Sequence, residues 1–296
     1  MALPPSATTT PPPVLRAVCW GTRGSVPAPG PDTVRYGGNT SCLEVRAPGG
    51  RVLVFDVGTG IRGLGRRLEA ARGALDVDVF LSHFHWDHIQ GFPFWRHLYL
   101  PESRIRVHGP RQGALGAEQM LAGQMQPAYF PVGIAQLAAH VEYGDVNGTP
   151  WTRDGVEVAS LGVRHSGATV GFRVRAGGAA LAYVPDNELA PDQEAGSAWY
   201  RELVGFLRGV DVLFHDAMLT EAEYRGHFRG WGHSTFPQAV RLAEDAEVRR
   251  LFLFHHFPDR TDAQLDEVAA RLRDELAARG SPLQVAVACE GEEVAA

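Results

Sequence analysis

The segment Ser82-His83-Phe84-His85-Trp86-Asp87-His88 puts three histidines and an aspartate within six consecutive positions, directly after the apolar run Val77-Asp78-Val79-Phe80-Leu81. That run predicts a buried strand. A chain leaving a strand into a tight loop points His83 and His85 the same way, because side chains alternate and their spacing is two. Asp87 and His88 then emerge on the other side of the turn. One short loop thus supplies halves of two ligand sets, suited to two metal ions close together. Imidazole nitrogen and carboxylate oxygen are ligands that zinc, manganese and iron accept, and no thiolate stands in the segment. A polar surface loop would not need three of the chain's twelve histidines.

Composition narrows the partners. The net charge is −6, lysine is absent and all 28 basic residues are arginines. A strongly basic footprint for nucleic acid is missing, which argues against a polymer as partner, although an arginine fork suits phosphate oxygens. Cys19, Cys42 and Cys289 are scattered without metal-binding spacing and read as small apolar residues of a reducing, cytoplasmic compartment. Met1 to Val14 is rich in Pro and Thr, carries no charged side chain and lacks the pattern of a signal peptide. It is expected to be a disordered tail ahead of a single domain over residues 15–296. No apolar run approaches the roughly 20 residues of a membrane helix, so no membrane partner is expected.

Strands are expected at Leu15–Trp20, Cys42–Arg46, Arg51–Phe55 and Ile105–His108, with helices at Ile61–Arg72 and Ala114–Met125. The second half repeats the plan: strands Val156–Val163, Val170–Val174, Ala179–Val184, Val212–Phe214, Leu251–Phe254 and Leu283–Val287, with helices Trp199–Leu207, Pro237–Ala246 and Asp262–Arg279. Apolar strands repeatedly end at a metal-competent residue, at Asp56, His83, Asp186, His215 and His255. Sites at the C-terminal ends of strands are the expected geometry of layered α/β folds.

These residues resemble the metallo-β-lactamase-fold hydrolases. The landmarks occur in order: Asp56 in Phe-Asp-Val-Gly-Thr-Gly, the His83/His85/Asp87/His88 loop, His165 in Arg-His-Ser-Gly, Asp186 in Tyr-Val-Pro-Asp-Asn, and His255 in Phe-His-His-Phe-Pro. The resemblance runs from about Arg16 to Val287. It implies an α/β fold, a four-layer αβ/βα sandwich with a dinuclear site along one edge. It further implies that His83, His85 and His165 bind one divalent ion, that Asp87, His88 and a histidine after Leu251–Phe254 bind a second, and that Asp186 bridges both. Zinc is the first expectation, manganese or iron the alternatives. Asp56 would orient a ligand histidine. Gly232-His233-Ser234-Thr235 resembles the transfer-RNA 3′-processing endonucleases and their phosphodiesterase relatives. Laid on that pattern without gaps, the last ligand falls on His255, and His256 sits behind it or faces the substrate. His233, matching a non-ligand histidine there, would protonate the leaving oxygen, making it catalytic together with the metal-holding Asp87 and Asp186.

A metal pair about 3.5–4 Å apart lowers the pKa of water toward about 7 for attack on an electrophile. The bridging aspartate and the Gly-His-Ser-Thr element favour a phosphodiester. The glycine-rich loop containing Arg23 and Asn39-Thr40-Ser41 offers donors for phosphate oxygens. No glycine- and lysine-rich insertion of the kind that clamps transfer RNA is visible. The aromatic stretches Phe92–Tyr99 and Met125–Val132 could instead wall a small pocket, fill the core or face a second copy in a homodimer. The leading expectation is therefore hydrolysis of a small phosphodiester such as a cyclic nucleotide. The alternatives are an RNA 3′-endonuclease, a thioester or lactone hydrolase, and a non-enzymatic sensor that kept its metals.

Overall fold

The computed structural model describes residues 15–190 and 192–296. The expected disordered tail, Met1 to Val14, lies outside the described residues. The strands, in chain order, are β1 Arg16–Gly21, β2 Cys42–Arg46, β3 Val52–Phe55, β4 Asp76–Phe80, β5 Arg104–Pro110, β6 His140–Val146, β7 Trp151–Arg153, β8 Val156–Gly162, β9 Val170–Ala176, β10 Ala179–Val184, β11 Val212–Asp216, β12 Arg250–Phe254, β13 Gln284–Val287 and β14 Glu293–Ala295. The helices are α1 Ile61–Arg72, α2 Trp86–Ile89, α3 Ala117–Gln124, α4 Asp192–Ala195, α5 Ala198–Leu207, α6 Glu221–Glu223, α7 Phe236–Asp245 and α8 Asp262–Ala278.

Two sheets form, ordered β14-β1-β2-β3-β4-β5-β6 and β13-β12-β11-β10-β9-β8-β7. In each, an antiparallel meander passes into parallel strands: β3, β4, β5 and β6 run parallel in the first, and β10, β11, β12 and β13 in the second. Strand alternation explains the layers. In β12, Phe252 and Phe254 join Leu43, Phe55, Phe80, Phe172 and Phe214 in the core between the sheets, whereas Leu251 and Leu253 pack under α7 and α8. In β3, Leu53 and Phe55 face the other sheet, while Val52 and Val54 meet Ile61, Leu64 and Leu68 of α1. The result is the expected four-layer αβ/βα sandwich.

Differences from expectation are local. Strands β6, β7 and β14 differ from expectation; all three are sheet edges, short or charge-bearing, with weak apolar alternation. Helix α3 begins at Ala117 rather than Ala114, because Gly116 precedes it in extended backbone and its N–H donates to the Gln119 side chain. In α7 the cap is Thr235, whose hydroxyl accepts from the Gln238 N–H while the Gln238 side chain accepts in return. The aromatic stretches divide: Phe92 and Trp95 are core, while Phe94 and Tyr129 are exposed and Phe94 packs edge-on to Phe130. No helix among the described residues is long and apolar enough to cross a membrane.

Phe55 ties the sheets together, with ring centroids 5.4 Å from Phe80, 5.4 Å from Phe172 and 5.9 Å from Tyr183. Truncating a buried phenylalanine removes apolar burial and leaves a cavity. Phe55→Ala is expected to destabilise the protein by about 3–5 kcal/mol, read as a lower denaturant midpoint at unchanged slope. A cost within experimental error of zero would show that the knot carries no stability.

Candidate metal centre

The chemistry-bearing residues gather at one edge of the sandwich, at or just past the C-terminal ends of β3, β4, β8, β10, β11 and β12. They are Asp56, the His83–His88 segment, His165, Asp186, Asp216 and His255. Two of these strand ends are held in an uncommon backbone. Asp56 has φ 57° and His255 φ 61°, a left-handed conformation that costs a non-glycine residue about 1–3 kcal/mol.

Side-chain donors of His83, His85 and His165 lie mutually within 4.8 Å, as do those of Asp87, His88 and His255. Asp186 stands between the two groups. Its Oδ2 is 2.9 Å from His88 Nε2, and its Oδ1 is 3.3 Å from His255 Nε2 and 3.7 Å from His165 Nε2. Both groups can hold a metal ion. Among the described residues His83 Nε2 is buried without a hydrogen bond, and His88 Nε2 and Asp186 Oδ2 find partners only within the cluster. Such atoms are costly to bury unless an ion or water completes them. Burial pushes the pKa of His83, His85 and His165 down, which keeps those imidazoles neutral, the form that binds metal. Burial opposes ionisation of Asp87 and Asp186, but His88 and His255 outweigh it and hold both carboxyls well below the usual range. The donor set fits divalent ions.

Neighbours fix the rings. Asp56 Oδ2 accepts from His88 Nδ1 at 2.8 Å, leaving Nε2 toward the cluster. The same carboxylate accepts from Ser82 N at 2.7 Å, Ser82 Oγ at 2.8 Å and Tyr183 OH at 2.9 Å. His165 Nδ1 donates to the Gly232 carbonyl at 3.0 Å, which turns Nε2 toward the cluster, 3.1 Å from His85 Nδ1. Ser25 N donates to Asp87 Oδ2 at 2.7 Å, and a Cβ at Gly24 would stand 2.5 Å from the His255 ring.

Of the adjacent histidines, the structure brings His255 into the cluster. His256 is buried and donates from Nε2 to the Ala288 carbonyl, 2.9 Å away. His215 also differs from expectation. It is fully buried and bonds the Asp216 carbonyl and Asn187, while its neighbour Asp216 reaches the site. Asp216 Oδ2 accepts from His233 Nδ1 at 2.8 Å. Burial opposes a charge on His233, but Asp216 outweighs it and raises its pKa to about 9. His233 lines a cavity of about 460 Å³ with Ser25, Phe84, His85, Trp86, Asp87, Asp186 and His255.

The residues expected to meet substrate from the glycine-rich loop do not line that cavity. Arg23 is fully buried and gives its guanidinium to the carbonyls of Gly37, Phe257 and Arg260, so it clamps the loop to the chain beyond β12. Thr40 is buried and its hydroxyl accepts from Thr59 N and Gln90, Ser41 is buried, and Asn39 is tied to Glu290. Asp216 went unread because His215 beside it is the more obvious ligand type. Ser25 acts through a backbone N–H, which carries no residue-type signal.

The fold and this site define a hydrolase of the metallo-β-lactamase type. Residues 51–256 match the model of the beta-lactamase superfamily domain, and the chain belongs to that family. Ribonuclease Z of Thermoplasma acidophilum is 26% identical over 303 residues, spanning 85% of this chain and 89% of that one. The metallo-β-lactamase fold protein YhfI of Bacillus subtilis superposes with a TM-score of 0.69 at 18% identity, over 96% of this chain and 100% of that one. A diphosphatase of the PhnP family superposes with a TM-score of 0.66 at 19% identity, over 95% and 97%. Membership implies divalent metal ions.

Replacing the carboxylate that orients a metal-binding histidine typically lowers affinity about 10–100-fold. Asp56→Asn is expected to do so here, measured by competition with a chromophoric chelator. Unchanged affinity would mean that His88 is oriented without Asp56.

Proposed function

We propose that the protein is a two-metal phosphodiesterase that cleaves RNA at a 3′-terminal segment. The observation that carries this reading is His233, held at Nδ1 by Asp216 within the cavity that also exposes Asp87, Asp186 and His255. A hydrolase acting on an activated acyl group needs no such proton donor as much as one expelling an alkoxide does. The likeness to Ribonuclease Z along most of the chain supports RNA over the cyclic nucleotide first expected. Zinc is the first choice of ion, with manganese or iron as alternatives.

In this reading His83, His85 and His165 would hold one ion, Asp87, His88 and His255 would hold the other, and Asp186 would be shared between them. Bound there, the pair supplies Lewis-acid polarisation of an ester oxygen and activation of water. The chain's residues do the remainder. Asp56 and the Gly232 carbonyl keep His88 and His165 in the tautomer that presents Nε2. Asp216 holds His233 protonated with Nδ1 engaged, so Nε2 is the nitrogen that delivers a proton to the leaving oxygen. Positioned acid catalysis of this kind contributes about 10²–10⁴ in rate.

A second reading, a small phosphodiester such as a cyclic nucleotide, is favoured by the size of the cavity and by Trp86, an indole three-quarters exposed on its lining. Comparing a precursor transfer RNA with 2′,3′- and 3′,5′-cyclic nucleotides on the zinc-loaded protein separates the two. Turnover of the cyclic nucleotides alone would overturn the RNA reading.

Two outcomes test the machinery. Asp186→Ala is expected to bind fewer than two ions per chain and to lose most activity, by elemental analysis and rate; full activity with one ion would refute the dinuclear assignment. His233→Ala is expected to keep both ions and to slow substrates with alkoxide leaving groups about 10²–10⁴-fold, with far less effect on p-nitrophenyl esters. Equal losses on both would make His233 a residue that shapes the cavity, and loss of metal would make it a ligand.

A further inference from the structure

The segment Arg229-Gly230-Trp231-Gly232-His233 carries three large side chains at a spacing of two, separated by glycines in left-handed backbone, Gly230 at φ 83° and Gly232 at φ 88°. Both glycine N–H groups donate to the Glu188 carboxylate, at 2.8 Å and 2.9 Å, and the same carboxylate accepts from Tyr224 OH at 2.6 Å. The Gly232 carbonyl holds His165. The strap is therefore pinned on one side to a carboxylate and on the other to a residue of the metal centre. One end carries His233 into the reaction cavity.

The other end opens on a second cavity, about 490 Å³, lined by Arg164, His165, Ser166, Glu188 and Arg229 among others. Because His165 lines it, this cavity borders the metal centre directly. Its charges are unevenly used. Glu188 accepts the three hydrogen bonds just named, all from neutral donors, and among the described residues pairs with no cation. Arg164 pairs with Asp192 at 3.2 Å and lies over the Trp199 ring. Arg229 is exposed and, among the described residues, forms no ion pair. A guanidinium without a carboxylate, carried on a backbone that these hydrogen bonds hold in place, is available to an anion. Trp231, beside it, keeps 63% of its surface exposed, although burial of an indole is favourable. An aromatic face next to a free cation is the pairing that single-stranded nucleic acid uses, a phosphate on the cation and a base on the ring.

We propose that Arg229 binds the phosphodiester adjacent to the scissile one, so that a single RNA strand runs from the metal centre past His165 into this second cavity. The inference rests on the RNA reading above and adds the requirement of a second phosphate.

The test uses the zinc-loaded protein and Arg229→Gln, with Arg229→Lys as the charge-conserving control. Binding of a fluorescent 2′-O-methyl oligoribonucleotide is followed by anisotropy over a salt series. For Arg229→Gln the slope of log affinity against log salt is expected to shrink by about 0.7, the single-strand value for one neutralised phosphate, and Arg229→Lys is expected to retain it. Cleavage of an oligoribonucleotide should fall about tenfold in kcat/KM, as loss of a charge-assisted contact implies, and that of bis(p-nitrophenyl) phosphate, which has one phosphate, by under about twofold. An unchanged salt slope, or equal losses on both substrates, overturns the proposal. A matching loss on a dinucleoside diphosphate with none on the oligoribonucleotide also overturns it, assigning Arg229 to a pyrophosphate. If the wild type does not bind or cleave RNA at all, the RNA reading itself fails; if it does and Arg229→Gln behaves like it, only the second-phosphate subsite fails.

Discussion

Four hydrogen bonds converge on the buried carboxylate of Asp56, and much of the molecule is organised around them. Ser82, just past β4, belongs to the first sheet; Tyr183, on β10, belongs to the second; His88 belongs to the metal centre. One side chain thus sets the spacing of the two sheets and the tilt of a metal-facing ring. An ionised carboxylate without water must have its lone pairs filled. That demand makes the arrangement cooperative: displacing any donor leaves charge uncompensated, so sheet packing and ring orientation stand or fall together.

The repeated plan of the two sheets explains why a site forms at this edge. Each sheet turns from antiparallel to parallel at its third or fourth strand, and the parallel strands end side by side at the same border. Loops that leave parallel strands all emerge on one side. Residues far apart in sequence, such as Asp87 and His255, therefore meet at 3.1 Å. The helices packed outside each sheet keep those ends from splaying, and the aromatic knot around Phe55 keeps the two borders facing each other.

Much of this was legible in the sequence, because ligand-type residues follow apolar strands and strands of that kind are buried on both faces. The sandwich and the seven clustered residues could be named before any coordinates. What was not legible depended on which way a strand end points. In β11, Leu213 packs toward the helices and Phe214 between the sheets, so alternation sends Asp216 and not His215 toward the site. At β12 the left-handed backbone of His255 ends the alternation, and no composition rule marks such a turn. Arg23 was misread for a different reason. A glycine-rich loop with an arginine suits a phosphate, but the same guanidinium satisfies three backbone carbonyls that the loop would otherwise bury unpaired. The outer strands escaped notice because a strand with a solvent-facing side needs little apolar signal.

The left-handed backbone at Asp56 and His255 has a consequence for how such a site can change. A glycine at either position would relax the chain, and an asparagine would suit that conformation well. Each would remove the functional group that the strain serves to aim. Selection for thermal robustness and selection for turnover therefore pull these two positions in opposite directions. Substitutions that harden the molecule should accumulate elsewhere, in the helices and loops, while these two strand ends stay locally unfavourable and unaltered.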